Sequence, residues 1–583
     1  QNVAKYQDYA KIQSSLTTAY TTAEGVSNKN DATLMNIQDA TTALQNAIDK
    51  AASDKTEFDK VNSKLVEAYG VLKTTLEGEA KVLETLNSDA YSSIKKHVGD
   101  LYSAAKEIIT NTLQPASADA LKVDTVTTVN NKIIEAISDT SLNAWKTNAD
   151  MYESTFGKQV LEKSGIVLPE PEMSQETQSS TAMNNEQPAN YSFVGYSVDV
   201  SGASDDSAPT WNYTKRNIFT IGGAVVENQN GDMNIPPLTD VSWIYSLPKG
   251  SKYTLKFTYY GPSSAFLYFP YKLVQSSRSN MIGLDYSLNS AQAKAVEFSA
   301  PMNHLENADE SNHDTAETST MKTTTSSETA TTSSEKTTNP APAVNAINVA
   351  KVMLTDLKFG DNQIDFTVPD AKVAPMFGNF YITSSDANVD KINDSIFGNT
   401  NINDAITVNL LKGYNLASDY STFFAQYDNA ELDGKDPQNR YLVGFIGGNG
   451  TRKFSGSGTS VMTPSNSGKD RNLIVYVNAP KDGSYHVSGV YVTAHNRTIK
   501  LWTNDENNNF VQLVNLNSGS SSTLKTFDTS KTTSEVQITN PTIVLKKGLN
   551  KIVVTGGTAD GGNAPNIGNL TFTLMPASEK QEE

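Results

Sequence analysis

The stretch LKKGLNKIVVTGGTADGGNAPNIGNLTFT, residues 545–573, decides the fold, because the chain carries it twice. Its second copy is LKFGDNQIDFTVPDAKVAPMFGNFYIT, residues 357–383. Both read Leu-Lys-x-Gly-x-Asn-x-Ile, and both then read Ala-Pro-x-x-Gly-Asn followed by a hydrophobic residue. Each copy has β-branched and aromatic residues alternating along two runs, with turn formers between them, which is the pattern of paired strands. In residues 545–573 the loop joining the runs, 556–563, is rich in glycine; its counterpart at 369–373 is stiffer. A duplicated β module follows.

Working upstream, Pro248-Lys-Gly-Ser-Lys-Tyr253 precedes TLKFTYY, and Pro480-Lys-Asp-Gly-Ser-Tyr485 precedes HVSGVYV. Each is a turn feeding an alternating strand. About 60 residues separate Tyr485 from Leu545, and about 104 separate Tyr253 from Leu357. Within the longer interval lies a tract of about 45 residues, 301–345, dominated by Thr, Ser, Glu and Asn. Such a tract cannot bury enough apolar surface to offset its ordering entropy, so it is expected to be a disordered insertion. Setting it aside leaves about 59 residues, which matches the second copy. Module one is therefore expected over 190–386 and module two over 395–577. Both are all-β, of sandwich or jelly-roll type.

Ahead of the modules, residues 1–168 carry helical periods. Leu34, Ile37, Leu44 and Ile48 fall on one face, as do Phe58, Val61, Leu65, Leu72 and Leu76. Asp54 with Glu57 three residues on predicts a capping box for the second run. A third run, Tyr91, Ile94, Val98, Leu101, Ala105 and Ile108, stops before Pro115. Shorter helices are expected over 126–137, 142–152 and 156–163. The pattern predicts an elongated helical bundle that acts as a stalk, since its polar face offers no aromatic hot spot for a partner. Residues 169–189, rich in Pro, Glu, Gln and Ser, read as a flexible linker. The fold class is an all-α bundle followed by two all-β modules.

Composition excludes several functions. The 583 residues hold 47 basic and 64 acidic side chains, a net charge of -17, without any basic run. That field repels phosphate backbones, so nucleic acid is not an expected partner. With no cysteine there are no disulfides, thiolate metal sites or cysteine nucleophiles. No apolar run is long enough to span a bilayer. The five histidines form no HExxH motif or close pair, no G-x-S-x-G is present, and the glycines of GGNGT (447–451) lack the following GK[ST] of a phosphate loop. No cofactor is expected; acidic loop residues admit a structural calcium ion. Scattered carboxylates leave a glycoside hydrolase as the enzyme alternative, though no motif demands one.

A β sandwich binds sugar with modest apparatus: an aromatic ring for the pyranose face and polar groups for the hydroxyls. An acidic sugar adds a use for arginine, whose planar fork fits a carboxylate. Three groups qualify: Trp211 with Tyr213 and Arg216, Tyr259 with Tyr260, and His495 with Arg497 and Trp502. Tryptophan in a sandwich is more often core, and Trp243, Tyr253 and Phe257 are expected there.

The order of parts then carries a resemblance. Helical stalk, Pro/Glu-rich linker, YSFVGYSVDVSGASDD (191–206), WIYSLPKGSKYTLKFTYY (243–260) and APNIGNLTFTL (564–574) resemble the variable haemagglutinin lipoproteins of avian mycoplasmas, the VlhA family. The paired Leu-Lys-x-Gly-x-Asn-x-Ile tracts also resemble the closing strands of carbohydrate-binding modules with a galactose-binding-like jelly roll. The first resemblance implies a non-enzymatic surface adhesin that binds host sialoglycoproteins or other glycans and varies antigenically. It implies a lipid anchor at the extracellular face of the membrane, through a cysteine that this chain lacks. Two alternatives need no sugar site: a decoy that displays variable loops, and a binder of host protein.

Overall fold

The computed structural model describes residues 2–116, 120–169, 186, 195–197, 212–221, 226, 238–299, 338–417, 422–446, 472–531, 533–557 and 563–576. They fall into two compact units. The first comprises Gln1–Ser154, Thr258–Ser264 and Thr355–Asp361; the second comprises the rest. Most of the expected linker and the stretch 300–337 of the expected insertion lie outside the described residues.

In the first unit the chain forms α1 (Ala10–Ser27), α2 (Leu34–Val61), α3 (Ser63–Glu77), α4 (Glu79–Glu84), α5 (Ser92–Thr110), α6 (Val123–Ala136) and α7 (Asp139–Ser154). Spacing of three and four puts Ile94, Val98, Tyr102, Ala105 and Ile108 on the buried face of α5. They pack with Leu65, Tyr69 and Leu72 of α3 and with Val126 and Ile133 of α6. The capping box expected at Asp54 and Glu57 is not a helix start, because α2 runs through both. Asp54 pairs with Lys50 one turn back. The cap lies at Thr33, whose hydroxyl accepts from the Asn36 N–H while the Asn36 side chain accepts from the Thr33 N–H. Helix α1 was not among the expected helices. The helix expected over 156–163 is instead a strand, Gly157–Gln159, paired with 380–382. An available sheet edge outweighs a weak helical pattern that opens on glycine.

Segments 258–264 and 355–361 complete this unit with an aromatic cluster. The His97 ring stacks on Phe359 at 4.2 Å, Trp145 meets Phe359 edge-on at 4.9 Å, and Tyr260 lies 4.7 Å from Phe359. The Asn148 amide donates to the Thr258 carbonyl and accepts from the Tyr260 N–H. Burial holds the His97 pKa below its ordinary value, opposed by Asp100. The unfolded chain then takes up this proton first as pH falls. The unit should lose stability below about pH 6.5, the imidazole's unfolded value. Urea midpoints measured from pH 8 to 5 should show that loss in the native chain and a smaller one in His97→Gln. Equal slopes would remove His97 from the account.

Among the described residues the second unit holds four sheets. One runs in the order Gly157–Gln159, Phe380–Thr383, Ala265–Lys272, Met376–Gly378, Ser242–Ile244, Tyr213–Lys215, with Asn348–Leu354 also pairing Ala265–Lys272. Another runs Ile166–Val167, Lys252–Tyr259, Gly360–Thr367, Asp285–Leu288, Lys294–Ala295. Rings from both meet: Phe366 stacks on Phe380 at 4.6 Å, and Phe269, Phe377 and Tyr253 surround that pair. The third sheet contains Asn399–Ile402, Ala405–Val408, Asn566–Leu574, Lys435–Ile446, Thr422–Leu432 and Ile218–Thr220, with Gly483–Val492 on Asn566–Leu574. The fourth contains Leu416–Ala417, Leu473–Ala479, Gly548–Gly556, Arg497–Trp502, Phe510–Leu516 and Gln537–Thr539. Val487 and Phe572 of the third sheet share one core with Val475, Leu501 and Ile552 of the fourth. Each such side chain contributes roughly 1.5–3 kcal/mol by leaving water.

The duplicated motif has a physical role. Gly360 and Gly548 have φ of +94° and +91°, the left-handed region that favours glycine. Just beyond the second, the Asn550 amide donates to the carbonyls of Lys546, Gly548 and Val477, tying the turn to its neighbouring strand. Pairing corrects the upstream alignment, however. Lys252–Tyr259 lies beside Gly360–Thr367 as Leu473–Ala479 lies beside Gly548–Gly556. The strand after Pro480, Gly483–Val492, pairs Asn566–Leu574 and so corresponds to Ala265–Lys272. Similar turns precede several strands, so turn chemistry alone mismatched them, and the equal spacing was coincidental. The Thr/Ser-rich tract is nonetheless flanked by pairing within the first two sheets, where Phe298 bridges Asn339.

The core of the second β half takes in residues of the first, among them Trp243, Tyr268, Met376 and Tyr381. Trp243, fully buried, meets Tyr414 edge-on at 4.7 Å. The Tyr414 hydroxyl donates to the Ser242 carbonyl and accepts from the Asn379 N–H. Ile218–Thr220 crosses over to pair in parallel with Thr422–Leu432. Helix α8 (Val389–Phe397) buries Ile392, Ile396 and Phe397 in that same core. Tyr253 and Phe257 are buried as expected.

Candidate ligand pocket at the His495–Arg497 corner

Strand Gly483–Val492 delivers the chain into a tight corner at 493–496. The Thr493 hydroxyl donates to the His495 carbonyl at 2.9 Å and accepts from the His495 N–H at 3.2 Å. The Thr493 N–H donates to Ser518 Oγ at 2.9 Å, which fixes the corner to the next loop. The chain then enters strand Arg497–Trp502. His495 and Arg497 emerge beside a pocket of about 300 Å³.

The pocket has an apolar floor and a polar rim, the division expected of a small-molecule site. Ala425, Val492, Ala564 and Pro565 form its base, above a small cluster of Phe219, Leu442 and Leu524. Tyr427 and Asn566 add polar atoms to the floor, and Asn566 Nδ2 donates to the Tyr427 hydroxyl at 2.9 Å. Burial pushes the Tyr427 pKa up, outweighing the Asn566 hydrogen bond, so the phenol stays protonated. Sequence reasoning missed Tyr427 and Asn566. The signal for Asn566 was present, because it follows Ala564-Pro565 within the repeated motif. Tyr427 comes from a distant strand and carries no local signal.

The other candidates are not brought to this place. Trp502 sits at the opposite end of the strand that begins with Arg497. Five residues at about 3.4 Å each put it roughly 17 Å away, on the other face. Its ring packs on the core and pairs in register with Phe510. Arg216 is only 4% exposed. Its guanidinium donates to the carbonyls of Leu410 and Leu411 and to Asn415 Oδ1, and lies 4.4 Å from the Phe424 ring. Burial lowers its pKa to about 9, which leaves it charged at neutral pH. It is a structural cation, not a ligand group. Tyr259 is 0% exposed and packs on Tyr152 in the helical unit, while Tyr260 belongs to the His97 cluster. Trp211 and most of the glycine loop 556–563 lie outside the described residues.

A larger cavity of about 450 Å³ beside Lys158, Asp240 and Asp394 is less suited to a ligand. Lys158 is paired with Asp240, and Asp394 accepts from Asn401 and Asn478. Those three charges are already partnered within the chain. Among the described residues no group of three or more acidic or histidine side chains is placed to hold a metal ion.

Comparison with known proteins adds the following. The family model of Mycoplasma haemagglutinin matches residues 156–575, and that of the FIVAR domain matches 1–52 and 68–141. No curated protein matches. Among solved structures the chain is similar to a family 35 carbohydrate-binding module from Clostridium thermocellum, with 18% identity over 27% of this chain and 92% of that one, at a TM-score of 0.18. It is similar also to the carbohydrate-binding module CBM6cm-2 from Cellvibrio mixtus lichenase 5A in complex with cellotriose, with 11% identity over 27% and 88%, at a TM-score of 0.17. Likeness at that level says nothing of a ligand.

Proposed function

The chain belongs to the Mycoplasma haemagglutinin family, and from that premise we propose that it is a cell-surface adhesin, not an enzyme, that takes a terminal sugar of a host glycan into the His495–Arg497 pocket. The observation that carries this reading is the joining of a neutral, partly apolar floor to a cationic rim. A pyranose offers apolar C–H faces and hydroxyls to the floor. A carboxylate on that sugar meets Arg497, whose fork suits planar anions. A sialylated glycoprotein supplies both. The acidic surface of the chain makes the local cation more selective, because an anion is repelled elsewhere. Attachment to the cell is through a lipid anchor, as the resemblance implies; no described helix is long and apolar enough to cross a membrane.

Charge-assisted hydrogen bonds contribute about 1.5–3 kcal/mol each. Arg497→Ala should therefore weaken binding to sialylated glycans by roughly 10- to 100-fold, compared at a temperature where both chains are folded. Sialidase treatment of erythrocytes should remove binding by the native chain to the same degree. Binding that survives both changes would sink the acidic-sugar reading. No retention on a broad glycan array would sink the sugar reading altogether and leave display or protein binding.

A further inference from the structure

Resting on the reading that this pocket takes a sugar, we infer that Tyr427 and Asn566 form a seat for one unsubstituted hydroxyl, and so determine which edge of the sugar enters and which modified sugars are refused. The Tyr427 oxygen accepts from Asn566 Nδ2 at 2.9 Å. The phenolic proton is thereby left to donate, and Asn566 Oδ1 is left to accept. Neither has a further partner among the described residues. Turning the amide over changes the bookkeeping but not the result: Tyr427 then donates to Oδ1, leaving a lone pair on the phenol and an N–H on the amide. In both orientations at least one donor and one acceptor remain side by side at the floor.

A hydroxyl satisfies such a pair by itself, since it accepts from one partner and donates to the other. A carboxylate cannot, because it has no proton for the acceptor. An ammonium group cannot, because it has no lone pair for the donor. A methyl ether or an ester at the same oxygen loses the donor and must also find room in a site of about 300 Å³ walled by Val492, Ala564 and Pro565. A deoxy sugar leaves both floor atoms unpaired, and Tyr427 is only 4% exposed, so water replaces the lost partner poorly. The seat and the rim thus divide the ligand. A neutral hydroxyl edge goes down, and the anion stays at Arg497.

The test is a cycle between protein and ligand. Sialyllactose and its set of mono-deoxy and mono-O-methyl derivatives are titrated against the native chain, Tyr427→Phe and Asn566→Ala. Tyr427→Phe keeps the ring in the core, and its unfolding midpoint is measured alongside. One position of the sialic acid residue should be essential. Its deoxy form should lose about tenfold in affinity for the native chain, and its O-methyl form at least as much. Tyr427→Phe should weaken intact sialyllactose by about tenfold and no longer distinguish the deoxy form, while Arg497→Ala keeps that distinction. If sialyllactose binds but every deoxy form binds equally, or if Tyr427→Phe retains the same preference, the hydroxyl seat is overturned while the pocket reading stands. If sialyllactose and the rest of a glycan array fail to bind the native chain, both are overturned.

Discussion

Gly413→Ala is expected to cost the β unit at least about 3 kcal/mol, enough to lower its folded fraction sharply at 37 °C. The loop 409–414 is laid against the end of α8. The Asn409 N–H donates to the Gly398 carbonyl, the Gly413 N–H to Asn409, and the Tyr414 N–H to Ile396. A methyl group at Gly413 would press on the Phe397 carbonyl, meeting its carbon at 2.6 Å and the Gly398 nitrogen at 3.0 Å. Both are main-chain atoms, so no rotamer change relieves the clash, and small-to-large changes of this kind cost more than side-chain crowding. Gly398 cannot yield readily, because it caps α8 at φ +67°. Chemical denaturation should show the loss as a shift of the β transition. A midpoint within error of the native value would mean that the loop is not packed as described.

Arg216→Met is the second large effect, expected to cost about 2–4 kcal/mol. Methionine approximates the aliphatic stem but removes one donor from each of the Leu410 and Leu411 carbonyls, which keep Asn415 Nδ2 and Thr239 Oγ1, and takes away the donor to Asn415 Oδ1. The Asn415 oxygen left alone costs about 1–3 kcal/mol, and the charge-assisted bonds to the two carbonyls and the contact with the Phe424 ring are lost as well. The same substitution separates two roles for this residue. A ligand-binding arginine would lose affinity and keep stability; a buried structural cation loses stability, and the protein that remains folded binds as before. Arg216 and Gly413 act on one loop, so their costs should combine non-additively. A sum equal to the separate losses would indicate two independent sites.

Much of the architecture was legible because its signals are local. Helical spacing located α5, α6 and α7, and alternation located the β strands. Repetition of Leu-Lys-x-Gly-x-Asn-x-Ile exposed the duplication, since a positive φ at glycine is needed both times. Where signals conflict locally, the reading failed. Asp54 and Glu57 have the spacing of a cap, but nothing in five residues says that a helix has already begun at Leu34. Gly157–Gln159 became a strand because 380–382 offered it hydrogen bonds.

The candidate site was legible by half. His495 and Arg497 stand together because a corner after a strand keeps neighbours in sequence near in space. Trp502 was grouped with them by sequence distance, yet an extended strand carries the chain too far and to the wrong face. Arg216 has the same chemistry as Arg497, and only burial distinguishes an anchor from a rim cation. By itself, then, the sequence determined a helical segment, a duplicated β region and the family, because those rest on periodicity, turn geometry and order along the chain. Tertiary structure decided which strands pair, that residues of the first β half such as Trp243 enter the core of the second, and that Tyr427 from one strand meets Asn566 from another. Those depend on contacts between residues more than a hundred positions apart, which no local pattern encodes.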